Sequence, residues 1–312
     1  MVRLTATYLW AYLSLLQLIT FLGLHHLGNL LLDSNKLVML ATNSPYGSTK
    51  YLRTIVWSAN RNDLVQGGSR VQLMEDGELV LNDQSGRQIW IRPESGGSGA
   101  AYAAMLDTGN FVVASQAGAN LWQSFDEPID TLLPTQNLNS GAQLIAPYLE
   151  KNYSHGRFTF ILQTDRNLLM YTTRYPTTTV NYAYWSTQDS IGSGYRVVFN
   201  LQSGYMYLVA QNGTMLNSVF SNSVSMQDFY LRATIDYDGV LRQYAYPKTA
   251  SSSRRWAMAW TTNFIPSNIC VVIKGPVGSG ACGFNSYWMG RPNPNTRRPD
   301  PRARPEWRMT SS

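Results

Sequence analysis

The chain has 312 residues and a formal net charge of +6, with 14% charged and 12% aromatic residues. This length allows two domains with their own cores, and the composition excludes a coiled coil and a disordered chain. The positive charge is concentrated near the C-terminus, at Arg291, Arg297, Arg298, Arg302, Arg304 and Arg308. Because the rest of the chain is close to neutral, we expect no nucleic-acid binding by the folded part.

The N-terminal residues 1–24 have the pattern of a targeting segment. Arg3 precedes an apolar run from Tyr8 to Leu24, in the order of the charged and apolar regions of a signal peptide. The run is short for a membrane-spanning helix and contains three polar residues. We predict a signal peptide and a secreted or cell-surface protein, with an uncleaved anchor or a non-functional extension as alternatives. Membrane association is expected only for the anchor.

Short strand-like runs separated by Gly, Asn, Asp and Ser turns begin after residue 50. Four related units, at residues 71–81, 104–113, 160–171 and 233–244, each combine an apolar strand, an Asp-Gly or Asp-x-Asn corner and a second strand. Asp-Gly between apolar alternations predicts a hairpin, because the turn needs positive φ. Repeated small sheets that cannot bury their own apolar faces predict a closed, repetitive all-β architecture.

One of these units carries a candidate sugar site. Residues that could contact a sugar occur at every second position. Four have polar groups and one is aliphatic: Gln163, Asp165, Asn167, Tyr171 and Leu169. In an extended chain these side chains share one face of a single strand. Two amides, a carboxylate and a phenol suit adjacent hydroxyls, and an aliphatic side chain suits the C–H face of the ring.

A half-exposed strand facing water also shows alternating polar residues. Two observations favour the sugar site over this simpler interpretation. The opposite face of the strand is mixed rather than apolar, and Gln, Asp and Asn are poor strand formers.

The order of these five residues resembles the mannose-binding motif of monocot bulb lectins, Gln-x-Asp-x-Asn-x-Val-x-Tyr, with Leu169 in place of Val. Longer segments resemble the ectodomain of plant G-type lectin (S-domain) receptor-like kinases, namely residues 54–62, 106–112, 121–134, 236–244 and 280–287. The resemblance runs from residue 54 to residue 287, and no kinase signature is present in the sequence.

This resemblance implies an all-β fold of tandem β-prism (bulb-type lectin) domains, each with three four-stranded antiparallel sheets around a pseudo-threefold axis. The first domain is expected over residues 54–148 and the second over residues 149–265. The prism axis is expected to be filled by Trp57, Trp90, Trp122 and Trp185. Residues 25–53 lack the opening strands of the family, so we expect an incomplete first prism with an exposed apolar edge.

The resemblance also implies roles for the five residues. Asp165 and Asn167 would bind the axial 2-hydroxyl of mannose, Gln163 the 3-hydroxyl and Tyr171 the 4-hydroxyl, while Leu169 would cover the C3/C4 edge. An unpaired buried acceptor costs roughly 1–3 kcal/mol, which would discriminate mannose from glucose.

The other corners match the motif poorly. The first has Met74, Asp76, Glu78, Val80 and Asn82 at the five positions. The corner at Asp107 keeps Asn110 but has apolar partners, and the spacing at Asp236, Asp238, Leu241 and Tyr244 does not fit. We interpret these corners as structural hairpins.

Two cysteines, Cys270 and Cys282, fit no zinc pattern, and no metal site is expected. A disulfide between them is expected if the chain is secreted, and free thiols if it is cytosolic. By the resemblance, residues 266–288 begin a cysteine-containing EGF-like segment, followed by a disordered Arg/Pro tail over residues 289–312. Asn152 and Asn212 stand in N-glycosylation triplets.

The sequence predicts a non-catalytic protein that needs no cofactor and binds mannose-type glycans or glycoproteins. The alternative is a protein-interaction or receptor-decoy ectodomain with vestigial sugar sites, whose partners are receptor ectodomains. No nucleophile elbow or His-Glu-x-x-His motif indicates an enzyme. The nearest acidic group, Asp126, Glu127 and Asp130, is interpreted as turn and capping residues.

Overall fold

The computed structural model describes residues 2–5, 28–33, 36–41, 54–74, 77–92, 99–173, 180–187, 193–221, 224–248 and 255–261. Over these residues the chain is antiparallel β-structure with one short 3-10 helix at Ser124–Asp126. No helix in this part of the chain is long and apolar enough to cross a membrane. The predicted disulfide between Cys270 and Cys282 and the predicted tail lie outside the described residues.

The first ten strands form three sheets, which we call the N-terminal unit. The strands are β1 Val2–Thr5, β2 Gly28–Asp33, β3 Lys36–Ala41, β4 Thr54–Ser58, β5 Arg70–Leu73, β6 Leu79–Asn82, β7 Gln88–Ile91, β8 Ala100–Met105, β9 Phe111–Ser115 and β10 Asn120–Gln123. The sheets have the orders β1-β8-β9-β10, β2-β3-β4 and β5-β6-β7.

The remaining strands form the C-terminal unit, again with three sheets. They are β11 Thr131–Leu132, β12 Asn137–Asn139, β13 Gln143–Leu149, β14 Asn152–Leu162, β15 Leu168–Thr173, β16 Val180–Ser186, β17 Arg196–Phe199, β18 Met206–Val209, β19 Met215–Phe220, β20 Phe229–Ile235, β21 Leu241–Pro247 and β22 Ala257–Thr261. All three sheets have four strands, in the orders β11-β20-β21-β22, β12-β17-β18-β19 and β13-β14-β15-β16. The predicted all-β fold with repeated antiparallel sheets is confirmed.

Both units extend further towards the N-terminus than the predicted domain ranges. Strands β2 and β3 lie within the segment 25–53 and pair with β4 in one sheet. Strand β1 lies within the predicted signal segment and pairs with β8. Strands β11 to β13 pair with strands of the C-terminal unit, so the sheets change near residue 130, ahead of the predicted boundary at residue 148.

The N-terminal core is built around three tryptophans, as predicted. Trp57, Trp90 and Trp122 meet edge to face, with ring centroids 5.8 to 6.1 Å apart. Such pairs add about 0.5–1.5 kcal/mol each to the gain from burial. Two indole N–H groups donate to one residue: Trp57 to the Glu127 backbone oxygen at 3.0 Å and Trp122 to its carboxylate at 2.8 Å.

The C-terminal core relies on phenylalanines instead. Phe220 packs against Phe199 at 5.8 Å and against Trp260 at 4.9 Å. Trp185, expected in the core, packs on Phe160 at 6.2 Å but is only partly buried against the core cluster. Each fully buried side chain of this size contributes roughly 1.5–3 kcal/mol.

A buried ion pair joins the two units. Arg61, which follows β4, donates to Asp130 at 3.3 Å and to the backbone oxygens of Ile145 at 2.6 Å and of Tyr153. Burial lowers the pKa of Arg61 and raises that of Asp130, while their mutual attraction opposes both shifts. Asp130 lies at a bend directly before β11, as its interpretation as a turn residue predicts, and it also has a partner 69 residues earlier in the chain, which the sequence did not indicate.

Hairpin turns of one geometry recur in both units. In seven hairpins of the described chain, the first turn residue donates its N–H to the carbonyl four residues later, and the fourth residue donates back to the first. These turns begin at Met74, Asp83, Leu106, Ser115, Gln163, Ala210 and Asp236. The fourth residue has positive φ in every case, so one backbone scaffold presents seven comparable corners.

Candidate functional site

The candidate sugar site lies on the hairpin between β14 and β15, which we call the sugar hairpin. Strand β14 ends at Leu162 and β15 begins at Leu168, so the residues from Gln163 to Asn167 form the turn. The prediction that all five residues share one strand was therefore wrong. The chain reverses within the motif and places Gln163 opposite Asn167, with an N–H to carbonyl bond of 2.9 Å.

The second half of the motif lies on β15 as expected. Leu168 and Met170 are fully buried in the core, so Leu169 and Tyr171 point to the outer face of the sheet. Tyr171 is 9% exposed, whereas Asp165 is exposed at the turn. The set thus runs from an exposed polar tip to a largely covered phenol.

Hydrogen bonds fix the tip of the hairpin. The Asp165 carboxylate accepts the backbone N–H of Asn167 at 3.0 Å and its side-chain amide at 3.0 Å. Each Asp165 oxygen keeps a free lone pair, and the Asn167 amide keeps one N–H and its oxygen. The Gln163 amide and the Tyr171 hydroxyl bond to no other residue in the described part of the chain. Donors and acceptors therefore remain available for hydroxyl groups.

The fourth residue of this turn is unusual. Arg166 has a φ of 71°, whereas the other six hairpins place glycine there: Gly77, Gly86, Gly109, Gly118, Gly213 and Gly239. A left-handed conformation costs a residue with a Cβ roughly 1–2 kcal/mol. The sugar hairpin therefore carries a backbone strain that the other corners avoid.

The corner at Leu106 has a structural role. The Asn110 side chain donates to Gln123 at 2.8 Å and accepts from the Ser124 hydroxyl and the Phe125 N–H, both at 3.2 Å. These bonds tie the hairpin to the 3-10 helix and use most of the amide's capacity. They support the interpretation of this corner as structural.

The corner at Asp236 follows the sugar hairpin position by position, contrary to the sequence prediction that its spacing does not fit. The residues in the five places are Asp236, Asp238, Val240, Arg242 and Tyr244. Leu241, which the sequence predicted in this set, lies on the inner face and is fully buried. The carboxylate at the third residue and the phenol at the ninth therefore recur.

The polar groups of this second corner bind each other. Arg242 donates to Asp236 and Asp238 through three bonds of 2.8 Å, and the Tyr244 hydroxyl donates to Asp236 at 2.6 Å. Burial raises the pKa of Asp236, and the bonds from Tyr244 and Arg242 oppose that rise. An arginine thus occupies the place that Leu169 holds in the sugar hairpin, and it binds both carboxylates.

Two further findings concern the predicted glycosylation sites and the possibility of a metal site. Asn152 and Asn212 are both exposed, and each accepts the N–H of the Ser or Thr two residues later, at 3.1 and 3.0 Å. The described residues contain no cluster of three or more His, Cys, Asp or Glu that could hold a metal ion.

The chain is similar to a lectin family and to plant receptor kinases. Residues 54–144 match the profile of the D-mannose binding lectin family. The G-type lectin S-receptor-like serine/threonine-protein kinase LECRK2 of Oryza sativa subsp. japonica is 42% identical over 245 residues, which cover 75% of this chain and 30% of that protein. RLK1 of Arabidopsis thaliana, named in the same way, is 34% identical over 248 residues, which cover 75% of this chain and 28% of that protein.

Solved structures with similarity to the chain are also lectins. A monomeric monocot mannose-binding lectin from Gastrodia elata is 15% identical, with 43% of this chain and 96% of that chain covered and a TM-score of 0.28. The two-domain fetuin-binding agglutinin of Scilla campanulata is 17% identical, with 70% and 86% covered and a TM-score of 0.29.

The family match ends at residue 144. The sugar hairpin follows in the next part of the chain. The chain spans about 30% of the length of the curated relatives it matches.

Proposed function

We propose that this chain, which carries a bulb-type lectin domain and is homologous over three-quarters of its length to G-type lectin S-receptor-like kinases, binds mannose-type glycans through the sugar hairpin. The observation that carries the proposal is the state of the polar groups at Gln163, Asp165, Asn167 and Tyr171. They surround one outer face, and each retains free donors or acceptors for hydroxyl groups.

The geometry suggests how a mannose-type ring would bind. Asp165 and Asn167 are held together at the tip, so they can share the axial 2-hydroxyl as acceptor and donor. Gln163, opposite Asn167 across the turn, would take the 3-hydroxyl, and Tyr171 would take the 4-hydroxyl. Leu169, two residues before Tyr171 on β15, would cover the C–H edge of the ring. Because the tip is exposed, a single site binds weakly, and several sites held together would be needed for high avidity.

We further propose secretion or cell-surface exposure, with N-glycans on Asn152 and Asn212 and a disulfide between Cys270 and Cys282. Support for the glycans comes from the exposure of both asparagines. Similarity to G-type lectin S-receptor-like kinases over three-quarters of this chain supports action as a lectin ectodomain.

Retention on mannose-agarose tests the sugar proposal. The Asp165→Ala/Asn167→Ala double variant should elute in the flow-through, while the wild type is retained and released by free methyl mannoside. Ser85→Ala/Arg87→Ala is a matched control, because these residues occupy the same two turn positions in an N-terminal hairpin. Equal retention of the wild type and the Asp165→Ala/Asn167→Ala variant would contradict the proposal.

A protein-interaction or receptor-decoy ectodomain is the second candidate. The closed corner at Asp236 favours it, since a site whose ligands bind each other is vestigial for sugars. Binding to a receptor ectodomain that persists in excess mannose and in the Asp165→Ala/Asn167→Ala variant would support this function. Loss of that binding with free mannose would exclude it.

A further inference from the structure

The segment Ser193–Arg196 packs directly against the sugar hairpin. A Cβ on Gly194 would lie 2.6 Å from the backbone oxygen of Arg166 and 3.2 Å from the Leu162 side chain. Such distances leave no room for any side chain, so glycine is required for this approach. The close contact brings the next residue, Tyr195, beside the turn that holds the sugar ligands.

Tyr195 presents an aromatic side chain to solvent at this place. It is 40% exposed, and its backbone N–H donates to Val209 at 2.8 Å, which fixes its position at the start of β17. The guanidinium of Arg196, which is also exposed, lies 5.9 Å from the centre of the ring. An exposed aromatic ring next to a cation can stack on the C–H face of a sugar while the cation binds its polar substituents.

Arg166 adds a second cation on the other side of this contact. Its side chain is exposed, and it keeps a left-handed backbone where six equivalent turns use glycine. Strained residues of this kind persist at binding sites, where the side chain has a use that offsets the strain. Two guanidinium groups and one aromatic ring therefore belong to the two segments that meet at the tip of the sugar hairpin.

We propose that Arg166, Tyr195 and Arg196 form a second subsite, which binds an anionic sugar unit attached to the mannose-type sugar. This inference rests on the proposed sugar function of the hairpin. In the proposed binding mode Asp165 and Asn167 take the 2-hydroxyl and Gln163 takes the 3-hydroxyl. The anomeric side of the ring is then left for neighbouring residues, and Arg166 stands between Asp165 and Asn167 in the chain. Guanidinium groups bind carboxylate and phosphate oxygens in pairs, so a uronate and a sugar phosphate both fit this chemistry.

Isothermal titration calorimetry with small sugars tests the subsite. The neutral probes are methyl α-mannoside and a mannosyl-glucose disaccharide, and the anionic probes are mannose 1-phosphate and a mannosyl-glucuronate disaccharide. We expect the wild type to bind each anionic probe about threefold to tenfold tighter than its neutral counterpart, with a smaller ratio at high salt. Comparison of the phosphate probe with the carboxylate probe shows which anion gains more affinity over its neutral counterpart. Mannose 6-phosphate, charged at a different ring position, should gain less.

Arg166→Gly should abolish the anionic preference without weakening the neutral probes, because it restores the turn residue of the six other hairpins and preserves the fold. Tyr195→Ser should weaken both disaccharides more than methyl α-mannoside. Arg87→Gln is the control, since it removes one charge from an exposed residue of an N-terminal hairpin and should change nothing.

Two results would overturn the inference while the sugar proposal stands. They are equal affinities of the wild type for neutral and anionic probes, and an anionic preference that survives in Arg166→Gly and Tyr195→Ser. A wild-type protein that binds none of the probes would overturn both.

Discussion

The sugar hairpin and the closed corner at Asp236 have the same backbone and opposite chemistry. In both, a carboxylate stands at the third position and a phenol at the ninth. Leu169 leaves the first corner open, whereas Arg242 bridges both carboxylates in the second corner. The comparison teaches that the side chains placed on a shared backbone, above all Arg242 in place of Leu169, decide whether polar groups can serve a ligand or are bound by internal partners.

Removal of Arg242 should have the largest effect on stability. Arg242→Leu leaves Asp236 and Asp238 without their common partner, and we expect a loss of about 2–3 kcal/mol in the free energy of unfolding at pH 7. Burial already raises the pKa of Asp236, and loss of Arg242 removes an opposing effect, so the folded state takes up a proton more readily. Because a raised folded pKa favours folding at low pH, stability should partly recover as the pH falls from 7 to 5.

Urea denaturation at both pH values measures this effect. Leu169→Val, at the equivalent place in the sugar hairpin, is the control and should cost less than about 1.5 kcal/mol at either pH. A variant Arg242→Leu as stable as the wild type at pH 7 would show that the ion pairs do not matter for the closed corner.

Closing the open corner should weaken sugar binding. Leu169→Arg places a guanidinium where Arg242 stands in the other hairpin, within reach of the Asp165 carboxylate. We expect a loss of at least about tenfold in affinity for methyl mannoside, equal to roughly 1.4 kcal/mol, with the fold preserved. Calorimetry measures the affinity, and Leu169→Met controls for the change in side-chain shape. Unchanged affinity would mean that the outer residue does not decide the state of the corner.

Removal of the hydroxyl group should lower stability at Tyr244 and sugar affinity at Tyr171. Tyr244→Phe removes a 2.6 Å bond to Asp236 and should lower the free energy of unfolding by about 1–2 kcal/mol without affecting sugar binding. Tyr171→Phe should weaken mannoside binding about threefold to tenfold and leave stability within about 0.5 kcal/mol. Thermal unfolding and calorimetry on both variants distinguish these outcomes, and equal responses would remove the functional distinction between the corners.

The smallest effect concerns the fourth turn residue. Arg166→Gly should raise the free energy of unfolding by up to about 1 kcal/mol, since glycine adopts positive φ without strain but loses more entropy on folding. Gly239→Ala, at the same place in the closed corner, should lower it by a similar amount. Denaturation midpoints of the two variants that shift in the same direction would contradict the view that these turns share one backbone requirement.

Much of the fold was accessible from the sequence. Asp-Gly corners between apolar runs are local signals, so the hairpins and the repeated all-β architecture were predicted correctly. The core position of three tryptophans was predicted from the family resemblance, namely that of Trp57, Trp90 and Trp122. The register of a corner was harder to predict, because Arg242 and Leu241 differ by one residue and face opposite sides of the sheet.

Long-range pairings were not accessible. Arg61 and Asp130 each look like ordinary turn residues in the sequence, and their ion pair exists only because two units meet. The sequence did not indicate which sheet five of the strands join, namely β2, β3 and β11 to β13. Their pairing partners decide how far each unit extends. Such contacts depend on segments far apart in the chain and leave no periodic signal.

By itself, the sequence determined the order of ligands from Gln163 to Tyr171, since alternation and the family motif are properties of neighbouring residues. The tertiary structure alone decided which corner has unoccupied polar groups and which is closed by Arg242. It also decided that Tyr195 stands beside the sugar hairpin, through the close approach of Gly194 to Arg166. The physical reason is that hydrogen bonds and packing contacts depend on distances between side chains, which only the folded chain sets.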